Sequence, residues 1–315
     1  MTARARVDAE LVRRGLARSR RHAAELVASG RVSIDGRTVA KPSVAVAQEA
    51  GVAVSPGDPG EAEYASRAGL KLAGALDVLA YGPSAADRGA PAVDGAWCAD
   101  LGASTGGFTD VLLRRGAEHV VAIDVGHGQL VERLREEARV TVVEGKNVRD
   151  LAPADLERAP GLVTGDLSFI SLTLVLPAVA AVLAPRGSAL LLVKPQFEVG
   201  RERLGRGGVV RDPALHAEAV TTVVRAAERS GLRLRAIVPS PLPGPSGNRE
   251  FFVWLVADAA APVSDPRDLA GAVAAAVAPD GPGAGGTLAG RGDPGPSDPA
   301  RRTPGAESYD DRERA

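Results

Sequence analysis

Short apolar runs separated by glycine and polar turns recur along most of the chain. From residue 96 onward, Ala96–Leu101, Val120–Asp124, Val140–Val143, Leu162–Gly165, Ala189–Val193, Leu234–Val238 and Phe251–Val256 read as strands. Phe108–Arg114, Gln129–Arg135, Leu172–Leu183 and Pro213–Arg229 read as helices, with a short Ala-rich helix over Arg267–Ala278. Such alternation predicts an α/β fold, a mostly parallel, doubly wound Rossmann-like sheet that binds ligands at the carboxyl ends of its strands. Ahead of the sheet, Ser66 is placed to cap a helix whose Leu72, Leu76 and Leu79 form an apolar stripe. Lys71 lies beside that stripe, where an ordinary surface lysine would serve as well.

Residues 4–54 follow a different pattern, a small α+β unit. Asp8 is placed to cap a helix running to Arg14, and Gly15 ends it. Ser19 is placed to cap a second helix that buries Ala23, Leu26 and Val27 and stops at Gly30. A strand Val32–Ile34, a turn at Asp35-Gly36 and an extended Val39 follow. Val54–Gly60 reads as a linker and residues 81–95 as a Pro/Gly/Ala-rich loop. Residues 279–315 lack periodicity and are expected to be disordered.

The formal net charge of −1 conceals an uneven distribution. Residues 1–41 hold ten Arg and Lys against four acids, a net +6 that leaves −7 for the remainder. So many cations on so small a unit point to a phosphate-binding face more than to a solvated one. Cys98, the one cysteine, excludes an internal disulfide, and its place in an apolar run implies packing. No metal-ligand spacing and no membrane-length apolar run occur, so a metal-free, cytoplasmic protein is expected, a monomer with no membrane partner.

The run DLGASTGGFT, Asp100–Thr109, joins a strand to a helix. In the dinucleotide fingerprint Gly102, Ser104 and Gly107 would occupy the glycine positions, and the second glycine lets a pyrophosphate approach. Serine there disfavours NAD and suits a ligand with adenosine but no pyrophosphate, such as S-adenosylmethionine. The candidate cofactor residues are Asp100, Gly102, Ala103, Ser104, Thr105, Gly106, Gly107 and Phe108, then Asp124 for ribose hydroxyls, Asn147 near adenine, and Asp166. Lys146 and Arg149 lie close enough in sequence to meet a phosphate.

Asp166 opens DLSF, which lacks the paired prolines that hold a flat amine in base-amino methyltransferases. Methylation at pyrimidine carbon-5 needs a cysteine nucleophile, which Cys98 is not placed to be. A hydroxyl target therefore gains ground, and a hydroxyl needs a base. Lys194 ends a strand in LLLVKPQFE; Lys71, Asp166 and Glu250 could tune and orient it. Two unrelated salt bridges would satisfy the same spacing. Gln196–Asp212, rich in glycine, either closes over a bound nucleotide or is a plain surface excursion. Ser240–Asn248, SPLPGPSGN, is a proline-stiffened loop that would fix Glu250 and line the site.

Arg4–Val54 resembles an S4 domain, a small RNA-binding module, which implies RNA contacts from Arg4, Arg6, Arg18, Arg20 and Lys41. The remainder is similar to FtsJ-type ribose 2′-O-methyltransferases, whose Lys-Asp-Lys-Glu tetrad falls on Lys71, Asp166, Lys194 and Glu250. With GASTGGFT, DLSFISL, VKPQFEVG and SPLPGPSGNREFF in order, the chain to about Ala278 resembles the TlyA family of rRNA cytidine 2′-O-methyltransferases, also labelled hemolysin A. The resemblance implies an S4-like domain at 1–54, a linker at 55–65, a methyltransferase domain at 66–278 and a tail at 279–315. It also implies S-adenosylmethionine as methyl donor and cytidines in 16S and 23S rRNA, within 30S or 50S subunits, as targets. One departure stands out. Related actinobacterial proteins carry an Arg-Ala-Trp-type linker motif where this chain has Ala62-Glu63-Tyr64-Ala65. Rival readings are a membrane-active hemolysin, which would need an amphipathic or spanning segment, and a non-catalytic RNA-binding protein, which would have no reason to keep the tetrad.

Overall fold

The computed structural model describes residues 4–17, 20–28, 30–55, 64–82, 89–205, 207–258, 260 and 262–278. Arg18, Ser19 with its expected cap, Ala62, Glu63 and the 279–315 tail lie outside the described residues.

The head contains β1 (Arg4–Arg6), α1 (Val7–Arg13), α2 (Arg20–Ala28), β2 (Val32–Ile34), β3 (Arg37–Thr38), β4 (Ala45–Ala47) and β5 (Val52–Val54). β1 pairs with β4, and β2 pairs with β3 and β5, all antiparallel. Asp35 and Gly36, at φ 48° and 77°, form the left-handed turn that a two-residue hairpin requires. Val7, Leu11, Ala23, Leu26, Val27 and Val32 close a small core. Asp8 is not the cap expected of it. Arg6 is the N-cap, and the Asp8 carboxylate lies inside the first turn, held by the Arg6 and Arg20 guanidinium groups.

The body begins with α3 (Ala68–Tyr81) and continues through β6 (Trp97–Leu101), α4 (Gly107–Arg114), β7 (His119–Asp124), α5 (Glu132–Arg135), β8 (Val140–Glu144) and β9 (Leu162–Gly165). Then come α6 (Leu176–Val182), β10 (Ser188–Val193), α7 (Pro195–Glu198), α8 (Pro213–Arg229), β11 (Leu232–Pro239), β12 (Phe251–Ala257) and α9 (Pro266–Val277). The seven strands β6–β12 lie in the order β11-β12-β10-β9-β6-β7-β8, parallel except for β12, which is antiparallel to both neighbours. Side chains alternate between two buried faces. Ala99, Leu101, Leu191, Val193 and Phe251 meet α6, α8 and α9, whereas Cys98, Leu190, Leu192 and Phe252 meet α3 and α4. Asp212 and Asp265 cap α8 and α9, each with a proline at the next position, as the sequence signals for helix starts require.

Three boundaries differ from expectation. α5 is a single turn starting at Glu132, because the chain before it is drawn along the glycine turn, with Val131 N–H donating to the Thr105 carbonyl. Leu172–Leu183 opens as a 3₁₀ turn and becomes α-helical only at Leu176, with Pro177 in its first turn. Ser66 does not cap α3. Arg67 is the N-cap and makes no side-chain cap bond. The Ser66 hydroxyl instead lies where a Cβ on Gly107 would stand.

No helix among the described residues is long and apolar enough to cross a membrane.

α3 approaches the glycine turn so closely that a Cβ on Gly69 would stand 2.6 Å from Tyr64 Cβ and 3.0 Å from the Gly107 carbonyl oxygen. Neither neighbour is the end of a flexible side chain. Gly69→Ala is therefore expected to destabilise the protein by roughly 1–3 kcal/mol, read as a lower midpoint in urea; an unchanged midpoint would show that α3 can move away freely.

Candidate active site

A cleft of about 630 Å³ opens at the carboxyl end of the sheet. Its wall takes residues from the turns after β6 (Gly102–Thr105, Gly107, Phe108), β7 (Asp124, Val125, Gln129), β8 (Lys146–Arg149), β9 (Asp166–Ser171, Leu174) and β10 (Lys194). The chain leaves β6 and β9 in opposite lateral directions, so the cleft lies at the topological switch point of the sheet, where crevices form.

The glycine turn is built for close approach. A Cβ on Gly102, at φ 78°, would stand 2.9 Å from Leu167 Cδ2 and 3.2 Å from the Asp166 carbonyl oxygen. Ser104 occupies the left-handed region at φ 49°, uncommon for a side-chain-bearing residue. Its N–H donates to Asp124 Oδ2 at 2.8 Å, while Asp124 Oδ1 accepts from Gly126 N–H at 2.7 Å. Each Asp124 oxygen thus keeps acceptor capacity on the cleft wall, the donor–acceptor chemistry a ribose diol would complete. Asn147 also lines the cleft, its side chain capping the turn that follows β8.

Two expected cofactor residues are not on the wall. Asp100 is fully buried beneath the turn, where it accepts from Thr109 Oγ1 at 2.7 Å and Thr164 Oγ1 at 3.4 Å. Burial pushes its carboxyl up to about 7. Gly106, at φ 97°, faces Leu130 and Leu134. Both residues shape the turn from behind.

The tetrad assembles as two ion pairs. Lys194 Nζ lies 2.6 Å from Asp166 Oδ1, held by charge attraction more than by an aligned hydrogen bond, and donates to Ser168 Oγ at 2.8 Å. Lys71 Nζ donates to Glu250 Oε2 at 2.6 Å, and neither of those side chains is on the cleft wall. The pairs are neighbours through the sheet. Val193 pairs with Phe251, so Lys194 and Glu250 are the next residues on adjacent antiparallel strands. Three close fits support this junction. Gly74 leaves room for Pro241, a Cβ on Gly244 would collide with Glu250 Oε1, and Ser240 N–H donates to the Glu250 carbonyl. The proline-stiffened loop thus rests on Glu250 but does not line the cleft as expected, and Lys71, placed by sequence beside an apolar stripe, is buried.

Sequence reading missed Ser66, Ser168 and Phe169 on the wall. Phe169 is 92% exposed at φ 65°, its ring tilted against Phe197 at 5.3 Å. An exposed aromatic held in a strained conformation is a functional signal that only coordinates reveal. Among the described residues of the 196–212 segment, Val199 and Val210 are tied to the body. Val210 N–H donates to Asn248 Oδ1, and the Val210 carbonyl meets His216 Nε2, with Val199 and Val210 in a small apolar cluster. Lys146 pairs with Asp155. Cys98 is buried, and burial pushes its thiol up to about 12, consistent with packing. No group of three His, Cys, Asp or Glu suited to a metal occurs among the described residues.

In the head, Arg6 and Arg20 are half-exposed and share the buried Asp8 carboxylate, which the Arg6 guanidinium holds below its ordinary range. Lys41 is exposed, and Arg4 contributes its backbone to β1.

The family model for FtsJ-like methyltransferases matches residues 64–257, and that for the S4 domain matches residues 5–52. The chain is 51% identical over 255 residues to the 16S/23S rRNA (cytidine-2′-O)-methyltransferase TlyA of Mycobacterium tuberculosis, covering 81% of this chain and 91% of that relative. It is 32% identical over 252 residues to the Brachyspira hyodysenteriae protein named hemolysin A, covering 80% and 99%. A solved structure from Streptococcus thermophilus, provisionally described as a hemolysin, matches with a TM-score of 0.66 at 37% identity, covering 88% of this chain and 96% of that one.

Two outcomes check this geometry. Lys71→Ala strands a buried carboxylate and is expected to cost roughly 3–5 kcal/mol of stability; an unchanged urea midpoint would place the pair in water. For Asp100, a folded value near 7 against an ordinary 3.8 means that the folded chain binds the proton more tightly. Its contribution therefore weakens as pH rises from about 4 to 7, and Asp100→Asn should gain stability relative to wild type across that window. A gap that stays flat between pH 4 and 8 would contradict the shift.

Proposed function

The chain belongs to the TlyA family of FtsJ-like methyltransferases, and from that premise we propose that it methylates the ribose 2′-hydroxyl of cytidine in ribosomal RNA, using S-adenosylmethionine. The observation that carries the reading is Lys194, held by Asp166 and Ser168 in the wall of the same cleft that the glycine turn and Asp124 line.

Gly102–Thr105 would meet the methyl donor along their backbone, Asp124 its ribose hydroxyls and Asn147 the region of its adenine. S-adenosylmethionine, when bound, supplies an electrophilic sulfonium methyl. Everything else falls to the chain. Lys194 in its amine form takes the 2′-hydroxyl proton on Nζ as that oxygen becomes the nucleophile. Asp166 and Ser168 limit where Nζ can stand, and orientation supplies much of the rate. Lys71 and Glu250 buttress the strand end from behind. The Phe169 ring on the rim offers a face on which an unstacked base can rest, offsetting part of the few kcal/mol that unstacking costs. In the head, Arg4, Arg6, Arg20 and Lys41, with Arg18, meet phosphates, which set position and not sequence.

Labelled S-adenosylmethionine with unmethylated 30S or 50S subunits, followed by mapping of blocked alkaline cleavage, tests the reading. Transfer to a cytidine ribose is the expected result, and no transfer to either subunit would overturn it. Lys194→Ala should lose about 10²–10⁴-fold in rate; full activity would remove Lys194 as proton acceptor. Arg20→Ala should weaken RNA binding and lower the salt slope by about 1, whereas an unchanged slope would take Arg20 off the phosphates.

A further inference from the structure

We infer that Glu198 is a positioning residue for methyl transfer, one that fixes the 166–172 segment against the turn carrying Lys194. The inference rests on Lys194 as the proton acceptor and deepens that reading.

Two turns meet over the cleft. The turn after β10 is compact, a single helical turn opened by Pro195 and closed by Gly200 at φ 86°. The segment after β9 has no helix or strand of its own before the 3₁₀ turn at Leu172, and it carries strained Phe169. Three contacts join them. Lys194 meets Asp166 and Ser168, the Phe197 ring meets the Phe169 ring, and Glu198 meets Ser171 and Leu172.

These contacts are not equivalent. Lys194 is the reacting group and must exchange an acceptor for substrate. The ring contact is non-directional, and one of its members is almost wholly exposed. Glu198 alone is both directional and uninvolved in the chemistry. Ser171 Oγ donates to Oε2 at 2.6 Å and Leu172 N–H donates to Oε1 at 2.9 Å, so both oxygens are used. Glu198 is not on the cleft wall, so it acts through the segment it holds. Glu198 is half-buried, and burial pushes its carboxyl above the ordinary range. Without it, the Leu172 N–H loses its partner and the strain at Phe169 can relax, carrying Ser168 away from Lys194.

The test uses the full chain and a ribosomal subunit that the wild type methylates. Glu198→Ala should lower kcat on the order of tenfold to a hundredfold, with affinity for S-adenosylmethionine by equilibrium dialysis unchanged. Glu198→Gln should restore most of the rate, since its amide oxygen accepts from Leu172 N–H and its amide nitrogen can donate to Ser171. Ser171→Ala, which removes one of the two bonds, should fall between. Wild-type kcat in Glu198→Ala, a loss shared by Glu198→Gln, or a loss matched by weaker cofactor binding would each overturn the positioning role. Should Glu198→Ala fail to fold, Ser171→Ala and Glu198→Gln decide it alone. Absence of transfer by the wild type overturns the proposed function instead, so the two failures are distinct.

Discussion

Withdrawing a charged group from water is costly unless a partner of opposite charge meets it, and at one end of this sheet two lysines are withdrawn, each against a carboxylate. Lys71 and Glu250 are 7% and 1% exposed as side chains; Lys194 and Asp166 are 10% and 16% exposed. Much of the surrounding architecture follows from that requirement. β12 runs against its neighbours, and its first residue therefore follows Glu250 at the end where β10 delivers Lys194. α3 lies over the same end, with Gly74 giving way to Pro241. A bulkier residue at either glycine, 74 or 244, would push apart the elements that keep the second pair dry.

The same helix ties the glycine turn to the chain that precedes the body. Gly69 and Gly107 meet backbone to backbone. Just before α3, Ala65 N–H donates to Asp110 in the first turn of α4, and Arg114 and Arg133 grip the same carboxylate. Burial raises Asp110, yet these partners outweigh it and leave its carboxyl below the ordinary range. The Tyr64 ring lies under the Arg114 guanidinium at 5.0 Å, a cation–π contact that ties the chain before α3 to α4. The start of α3 and the glycine turn therefore form one packed unit, and Ser66 reaches the cleft wall because of it.

Legibility in the sequence followed the range of the interaction involved. Strands such as Leu162–Gly165 and helices such as Pro213–Arg229 were readable to the residue, because apolar runs, Asp-Pro starts and glycine stops are local signals. The antiparallel insertion of β12 was not, since strand order depends on which edges meet after folding. α5 was overextended because the period of Gln129–Arg135 is helical, while the tertiary pull of the glycine turn on Val131 holds the first residues out of a helix. Asp8 and Ser66 carry cap chemistry, but in both cases a distant partner or a tight approach engages the side chain first.

The sequence by itself determined the α/β class, the glycine turn on the cleft wall, the basic head and, through family motifs, which four residues to look for as a tetrad. Those depend on periodicity and on residue type at fixed spacing. Tertiary structure alone decided that the tetrad divides into two pairs, one in the cleft and one behind it. It also decided that Asp100 supports the turn from below, that Phe169 stands on the cleft wall, and that Glu198 bonds to the segment carrying it. Burial, strain and hydrogen-bond direction arise between segments up to 179 positions apart, as Lys71 and Glu250 are. No local pattern encodes them.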